Sequence, residues 1–357
     1  MEVFSCKTKI ISGPGAIREL ERLGIQRLLI VADPFFRDTG LPEKLKQAAK
    51  AETAEVFFDV TPDPTVELAA RGTAVMQRVQ PDTVVALGGG SAMDCAKAMV
   101  YFSGVPARLV AIPTTSGSGS EVTDFAVLTH SGGKHPLVDA SLYPEVAILD
   151  AELLNTLPKG LVADAGFDIL AHAVESYVAT GAGAITDALA RDAFTIAYGA
   201  LPASFAGQTQ VRQKIHIAST MAGMAFSQAG LGLCHAMSHV LGGRFHITHG
   251  RLNAILLPAV IGANSAVNAK YAALARGAGL GGTADTMAVR NLKNALVRLR
   301  AELCLPQTLA QAGIPPRQLQ QEGLVQAVLE DPCCATNPVP PDGGMVRRVL
   351  GQVSGIG

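Results

Sequence analysis

The sequence predicts an α/β domain with a mainly parallel sheet over residues 1–158, followed by an all-helical domain over residues 159–357. Three observations lead there. The first half alternates short β-rich runs with amphipathic segments, the pattern of strands linked by crossover helices. From Gly160 onward the chain reads as successive helices punctuated by glycine and proline. The length of 357 residues suits two domains.

Four runs read as buried strands: RLLIVAD (27–33), AEVFFDV (54–60), DTVVALGGG (82–90) and ARLVAIPTT (107–115). Helical patterns lie among them at 66–79 and 91–101. Residues 125–149 break into several short strand-like pieces, read as edge strands or as a hairpin over the sheet. The pattern changes after LDAELLNTLP (149–158), so the boundary falls near residues 155–160. Helices are then expected at 161–179, 185–201, 211–226, 268–277 and 286–303. No low-complexity linker separates the halves. They are expected to pack closely, with a site in the cleft between them.

Composition narrows the function classes. Hydrophobic residues make up 48% and charged residues 17%, the balance of a folded protein with an ample core. Net charge is −1 with no basic run, which disfavours nucleic acid and anionic membranes as partners. No apolar stretch reaches the length of a membrane span. MEVFSCKTKIISGPG at the start has no secretory pattern, so a cytoplasmic location is expected. Cys6, Cys95, Cys234, Cys304, Cys333 and Cys334 form no CxxC pair and are read as reduced thiols.

Two loops invite a phosphate-bearing ligand. VVALGGGSAMDCAK (84–97) is a strand, then Gly88, Gly89, Gly90 and Ser91, then a helix. Glycine admits close backbone approach, and a helix N-terminus favours an anion. Ser91 is placed either to cap the helix or to donate to a phosphate oxygen. IPTTSGSGSEVTDFAV (112–127) follows the next strand and offers Thr114, Thr115, Ser116 and Ser118 as hydroxyl donors. Each loop alone is consistent with a simple turn. Two such loops after consecutive parallel strands favour a diphosphate and ribose. Asp33, ending its strand, is placed to accept from an adenosine ribose and to repel a 2′-phosphate, favouring NAD over NADP. Its plainer reading is the start of a turn before Pro34.

Histidine is scarce, eight residues in all, yet GLGLCHAMSHVLGGRFHITHG (230–250) holds His235, His239, His246 and His249. His235 and His239 lie four apart, as do Asp168 and His172 in ADAGFDILAHAVESY (163–177), so each pair shares a helix face. His249 begins a further helical pattern. A carboxylate and imidazoles from separate helices suit one Zn or Fe(II) ion rather than Ca or Mg. Core histidines or a plain Asp–His pair are the structural alternative. Spacing alone leaves open which three of His172, His235, His239, His246 and His249 would bind.

Together GGGSAMDCAK, IPTTSGSGSEVT, GFDILAHAVESY, GLCHAMSHVLGG and HGRLNAILLP resemble the iron-containing (group III) alcohol dehydrogenase family, in family order over nearly the whole chain. TPDPT (61–65), STMAGMAFSQAGLGLCHAMSH (219–239) and TNPVP (336–340) are most similar to propanol-dehydrogenase members of propanediol-utilisation microcompartments, with ethanolamine-utilisation members close behind. The resemblance implies a dehydroquinate synthase-like fold. It implies metal ligation by Asp168, His172, His235 and His249, with His239 near the metal as a proton-relay candidate. No role carries over to His246. For NAD(H) it implies Asp33, Gly88, Gly89, Gly90, Ser91, Asp94, Thr114, Thr115, Ser118 and Lys134. Ser118 stands where many members have Thr. The implied metal is Fe(II), with Zn(II) as the alternative, and the implied assembly is a homodimer or larger homo-oligomer. Encapsulation with microcompartment shell or cargo proteins is left open. EDPCCATNPVPPDGG (330–344), with its vicinal cysteines, departs from the family pattern, and the chain is short for it.

The implied chemistry is hydride transfer between nicotinamide C4 and a small carbonyl, with the metal as Lewis acid. Propanal to 1-propanol, regenerating NAD, is the expected direction. The alternatives are an ethanol/acetaldehyde enzyme, a glycerol-type polyol dehydrogenase of the same fold, and a non-catalytic scaffold or cargo protein.

Overall fold

The structure is a computed structural model describing residues 3–130, 133–321 and 323–355. The chain divides into two compact units, residues 5–157 and a unit from Pro158 onward.

The first unit is built on a six-stranded sheet. Its strands are β1 (Lys9–Ser12), β2 (Arg27–Ala32), β3 (Thr53–Phe57), β4 (Thr83–Gly88), β5 (Arg108–Pro113) and β8 (Val146–Leu149), with β6 (Phe125–His130) and β7 (Gly133–Val138) apart as an antiparallel hairpin. The sheet order is β1-β8-β5-β4-β2-β3 and every pair is parallel. Its strands are near-continuous apolar runs because both faces are covered. Leu29, Val31, Val84 and Ala86 point to one core with Met76 and Met99. Leu28, Ile30, Val85 and Leu87 point to the other with Leu20 and Leu45. Those four helical residues come from α2 (Val66–Val79), α3 (Gly90–Ser103), the short 3-10 segment Ala16–Leu23 and α1 (Leu41–Ala49), respectively for Met76, Met99, Leu20 and Leu45.

The last piece of 125–149 is not an edge strand: β8 is wholly buried and lies between β1 and β5. Ser91 does not cap α3. Gly89 holds the N-cap position and Ser91 falls inside the first turn. The chain must pass Gly88 at φ 151°, and Ala92 crowds any Cβ added there, so only glycine suits the turn.

The sheet reverses its winding between β2 and β4. From β2 the chain moves outward to β3, and from β4 it moves the other way to β5. Asp33 and Gly88–Gly90 therefore follow the carboxyl ends of the two strands flanking the switch point, where open α/β sheets bind ligands.

The second unit is helical: α4 (Lys159–Val178), α5 (Ala184–Phe205), α6 (Arg212–Ala229), α7 (Leu233–Phe245), α8 (His249–Ala263), α9 (Asn268–Gly277), α10 (Asp285–Glu302), α11 (Leu324–Glu330) and α12 (Gly343–Val353). Buried on nearly all sides from Val162 to Val178, α4 is the central element, which explains its weak amphipathic pattern. It packs against α5, α6 and α8. At Gly250 the start of α8 presses on α4, and a Cβ there would overlap the Asp164 carbonyl. No single helix among the described residues is long and apolar enough to cross a membrane. All six cysteines are free thiols.

Candidate active site

In the first unit the two predicted loops meet. Thr114 N donates to Gly88 O at 2.9 Å, tying the second loop to the first. A Cβ on Gly89 would stand 3.1 Å from Thr115 Oγ1, and one on Gly90 3.3 Å from Ser118 Cβ. Bare glycine backbone thus faces hydroxyl side chains, a cradle that side chains at 89 or 90 would fill. The residues present fit a dinucleotide diphosphate on that observation.

Asp94 is engaged with the base of this loop: its Oδ1 accepts from Ser120 Oγ at 3.1 Å. Burial lifts its carboxyl to about 6, against the opposing pull of Lys97. Lys97 escaped the sequence reading. Fully buried, its ammonium donates to Thr123 O and Thr123 Oγ1, both at 2.9 Å, to Phe125 O at 2.8 Å and to Ser120 Oγ at 3.3 Å. Burial brings it down to about 8. One lysine thereby anchors the loop between β5 and β6 to α3. Its only signal in sequence is a second charge, three residues after Asp94, in the mostly apolar stretch SAMDCAKAM.

Asp33 Oδ1 accepts from Phe35 N at 2.8 Å, so the carboxylate does start a turn at Pro34. Its Oδ2 has no partner among the described residues. Lys134, on β7, pairs with Asp63 Oδ1 at 2.7 Å.

In the second unit, ligand-type atoms of Asp168, His235 and His249 all lie within 4.8 Å of one another. They come from α4, α7 and α8 respectively. His249 Nδ1 is 2.7 Å from Asp168 Oδ1, while its buried Nε2 finds no hydrogen-bond partner among the described residues. His172 is buried one turn after Asp168. Its ring stacks between Phe226 and His235, with centroids 4.4 and 4.5 Å away, and lies 6.4 Å from that of His249. An unpartnered buried imidazole nitrogen beside a carboxylate and two further imidazoles fits a divalent cation of the Fe(II) or Zn(II) kind.

The electrostatics suit that reading. Burial alone would raise the Asp168 carboxyl, but His249, His172 and His235 overcome it and hold it far below the usual range. Burial, with His249 nearby, pushes the His235 imidazole well below its usual value, favouring the neutral ring. Glu175 was missed in the sequence, although it sits three residues beyond His172 on α4. Its Oε2 lies 2.6 Å from His235 Nδ1. With Nδ1 so occupied, Nε2 is the His235 atom left for a cation. Burial raises the Glu175 carboxyl to about 7 despite backbone donors from Cys234, His235 and Gly232. Asn253 was also missed. It is fully buried, and its Nδ2 donates to Asp168 Oδ1 at 2.8 Å while Oδ1 accepts from Ser238 Oγ at 2.6 Å.

His239 stands beside this group, its ring centroid 5.1 Å from that of His249. Its Nδ1 is 2.9 Å from Asp331 Oδ2. His246 is not part of the cluster: it is exposed and ends α7 in a left-handed conformation at φ 55°. The TNPVP stretch is structural. Asn337 Oδ1 accepts from Leu233 N at 3.0 Å, and Thr336 Oγ1 donates to Leu231 O at 2.7 Å, holding the start of α7.

Residues 7–151 match a family model described as iron-containing alcohol dehydrogenase, and residues 162–353 match its C-terminal counterpart. Over an alignment of 369 positions the chain is 41% identical to 1-propanol dehydrogenase PduQ of Salmonella typhimurium, covering 99% of this chain and 100% of that one. The solved structure of a 1,3-propanediol oxidoreductase superposes with a TM-score of 0.94 at 30% identity, covering 99% of this chain and 100% of the other. An iron-containing alcohol dehydrogenase from Thermococcus thioreducens superposes with a TM-score of 0.92 at 30% identity, covering 99% of each chain.

Proposed function

This chain belongs to the iron-containing alcohol dehydrogenase family, an oxidoreductase family acting on alcohols, and on that premise we propose that it reduces propanal to 1-propanol with NADH. The observation that carries the reading is the gathering of Asp168, His235 and His249 donors around a buried, unpartnered imidazole nitrogen. Full-length similarity to a 1-propanol dehydrogenase supports the substrate class.

In this reading Asp168, His172, His235 and His249 hold one divalent cation, Fe(II) before Zn(II). Once bound, the cation supplies Lewis-acid polarisation of the substrate oxygen, and the nicotinamide carries the hydride. Glu175 fixes the tautomer and orientation of His235 through Nδ1. The carboxylate of Asp331 holds His239 Nδ1, leaving Nε2 to pass the proton that the product oxygen requires. The Gly88–Gly90 turn with Ser91, Thr114, Thr115 and Ser118 receives the diphosphate. Asp33 receives the ribose through its second oxygen, which favours NAD over NADP. Asp94 and Lys97 brace that loop from behind, and Lys134 adds positive charge on the hairpin.

Metal content and NADH-linked propanal reduction, measured together on anaerobically purified wild type and His249→Ala, test the proposal. About one iron per chain, with loss of both metal and turnover in the variant, is the expected result. A metal-free wild type that turns over, or a fully active variant, refutes the assignment.

A further inference from the structure

The unfamiliar EDPCC stretch places a second set of donors next to the first. Among the described residues, ligand-type atoms of His239, Asp331 and Cys333 lie within 4.8 Å of one another. We propose that these three side chains form a second cation site, distinct from the Asp168 centre, for a borderline-soft divalent ion such as Zn(II) or Co(II).

The donor set argues for that class of ion. One imidazole nitrogen, one carboxylate oxygen and one sulfur suit zinc-like ions, whereas Mg and Ca prefer oxygen alone. Three protein donors leave a fourth position for water. The geometry is prepared in advance. Asp331 Oδ1 accepts from Cys333 N at 2.9 Å, which fixes the carboxylate at the start of the Pro332–Thr336 turn and directs Oδ2 to His239. The vicinal cysteines are divided in their contacts. Cys334 Sγ donates to Val328 O at 3.1 Å at the end of α11, while Cys333 joins the cluster. The site is reachable yet sheltered, with the His239 side chain 29% exposed and that of Asp331 11% exposed. None of the three residues is needed to hold the first cation. Binding displaces the Cys333 thiol proton to solvent, shifts the His239 Nδ1 proton to Nε2 and turns the His239–Asp331 hydrogen bond into shared ligation, so His239 relays no proton while this second ion is bound.

Cobalt is the probe, because a thiolate ligand gives Co(II) a near-ultraviolet charge-transfer band that nitrogen and oxygen ligands do not. Co(II) is added anaerobically to the iron-loaded enzyme, and band growth is followed with iron content. The wild type is expected to develop the band with saturation at about one added cobalt per chain. Cys333→Ser abolishes it with iron content unchanged, Cys334→Ser retains it, and Asp331→Asn weakens cobalt binding about tenfold or more. The proposal is overturned if the wild type shows no such band. It is equally overturned if the band survives Cys333→Ser, since another thiol, such as exposed Cys6 or Cys304, is then the ligand.

Discussion

The Glu175 carboxylate does two jobs for His235 at once. It meets the ring at Nδ1, 2.6 Å away, and it accepts the backbone N–H groups of Gly232 at 3.0 Å, Cys234 at 2.7 Å and His235 at 3.2 Å. These amides open α7 and have no partner within the helix. A single side chain from α4 therefore caps α7 and orients its first imidazole. Glu175→Gln is expected to lower metal affinity about 10- to 100-fold, read by competition with a chelator, while the fold persists.

Asn253 bridges the same group from α8. Its replacement by Ala leaves Ser238 Oγ and one Asp168 contact unsatisfied in a fully buried place. A loss of about 1–3 kcal/mol in urea unfolding of the metal-free protein is expected. Unchanged stability would show that water replaces the amide without penalty.

Lys97→Met removes a buried ammonium on which the loop after β5 depends. The acceptors at Thr123 and Phe125 then lose their donor. A destabilisation of about 1–3 kcal/mol is expected, together with weaker NADH binding followed by the cofactor's own fluorescence. Intact stability with intact NADH affinity would mean that the backbone alone holds the loop.

Asp94 gives a pH dependence of defined sign. Folding raises its carboxyl from 3.8 to about 6, because burial outweighs the attraction of Lys97. Between those values the folded chain keeps a proton that the unfolded chain has released. The group's contribution is therefore fully present below its unfolded value and is lost as pH rises through about 6. The stability of wild type relative to Asp94→Asn should decline by about 2–2.5 kcal/mol between pH 4 and pH 7. A flat difference in urea midpoints across that range contradicts the shift.

Replacing His239 by Ala removes the proposed proton carrier but none of the proposed metal ligands. A fall in kcat of about 100-fold at unchanged iron content is expected. Loss of iron along with activity would instead move His239 into the ligand set.

Strands β2 to β5 of the first unit were readable because both sheet faces are covered, so RLLIVA and TVVALG stand out as unbroken apolar runs. The helix spacing of Asp168 and His172, and of His235 and His239, was readable because 3.6-residue periodicity puts such pairs on one face. What escaped were residues whose role depends on a partner far along the chain. Glu175 acts 57 residues away on Gly232, Lys97 acts 26 residues away on Thr123, and Asp331 acts 92 residues from His239. The place of β8 escaped for the same reason, since a buried VAIL run looks alike at the middle and at the margin of a sheet.

That placement of β8 has a consequence for how the chain is made. Among the described residues, β1 at residues 9–12 pairs only with residues 146–149, and Asp150 then secures the following turn by accepting from Gly15 N and Ile17 N. During synthesis the ribosome must deliver nearly the whole first unit before its opening strand can dock. Until then the side of β5 that will receive β8 is an open edge with unpaired backbone groups. Such distant pairing slows folding. The interval in which a nascent chain of this protein is vulnerable to aggregation is therefore set by the arrival of four residues, Val146 to Leu149.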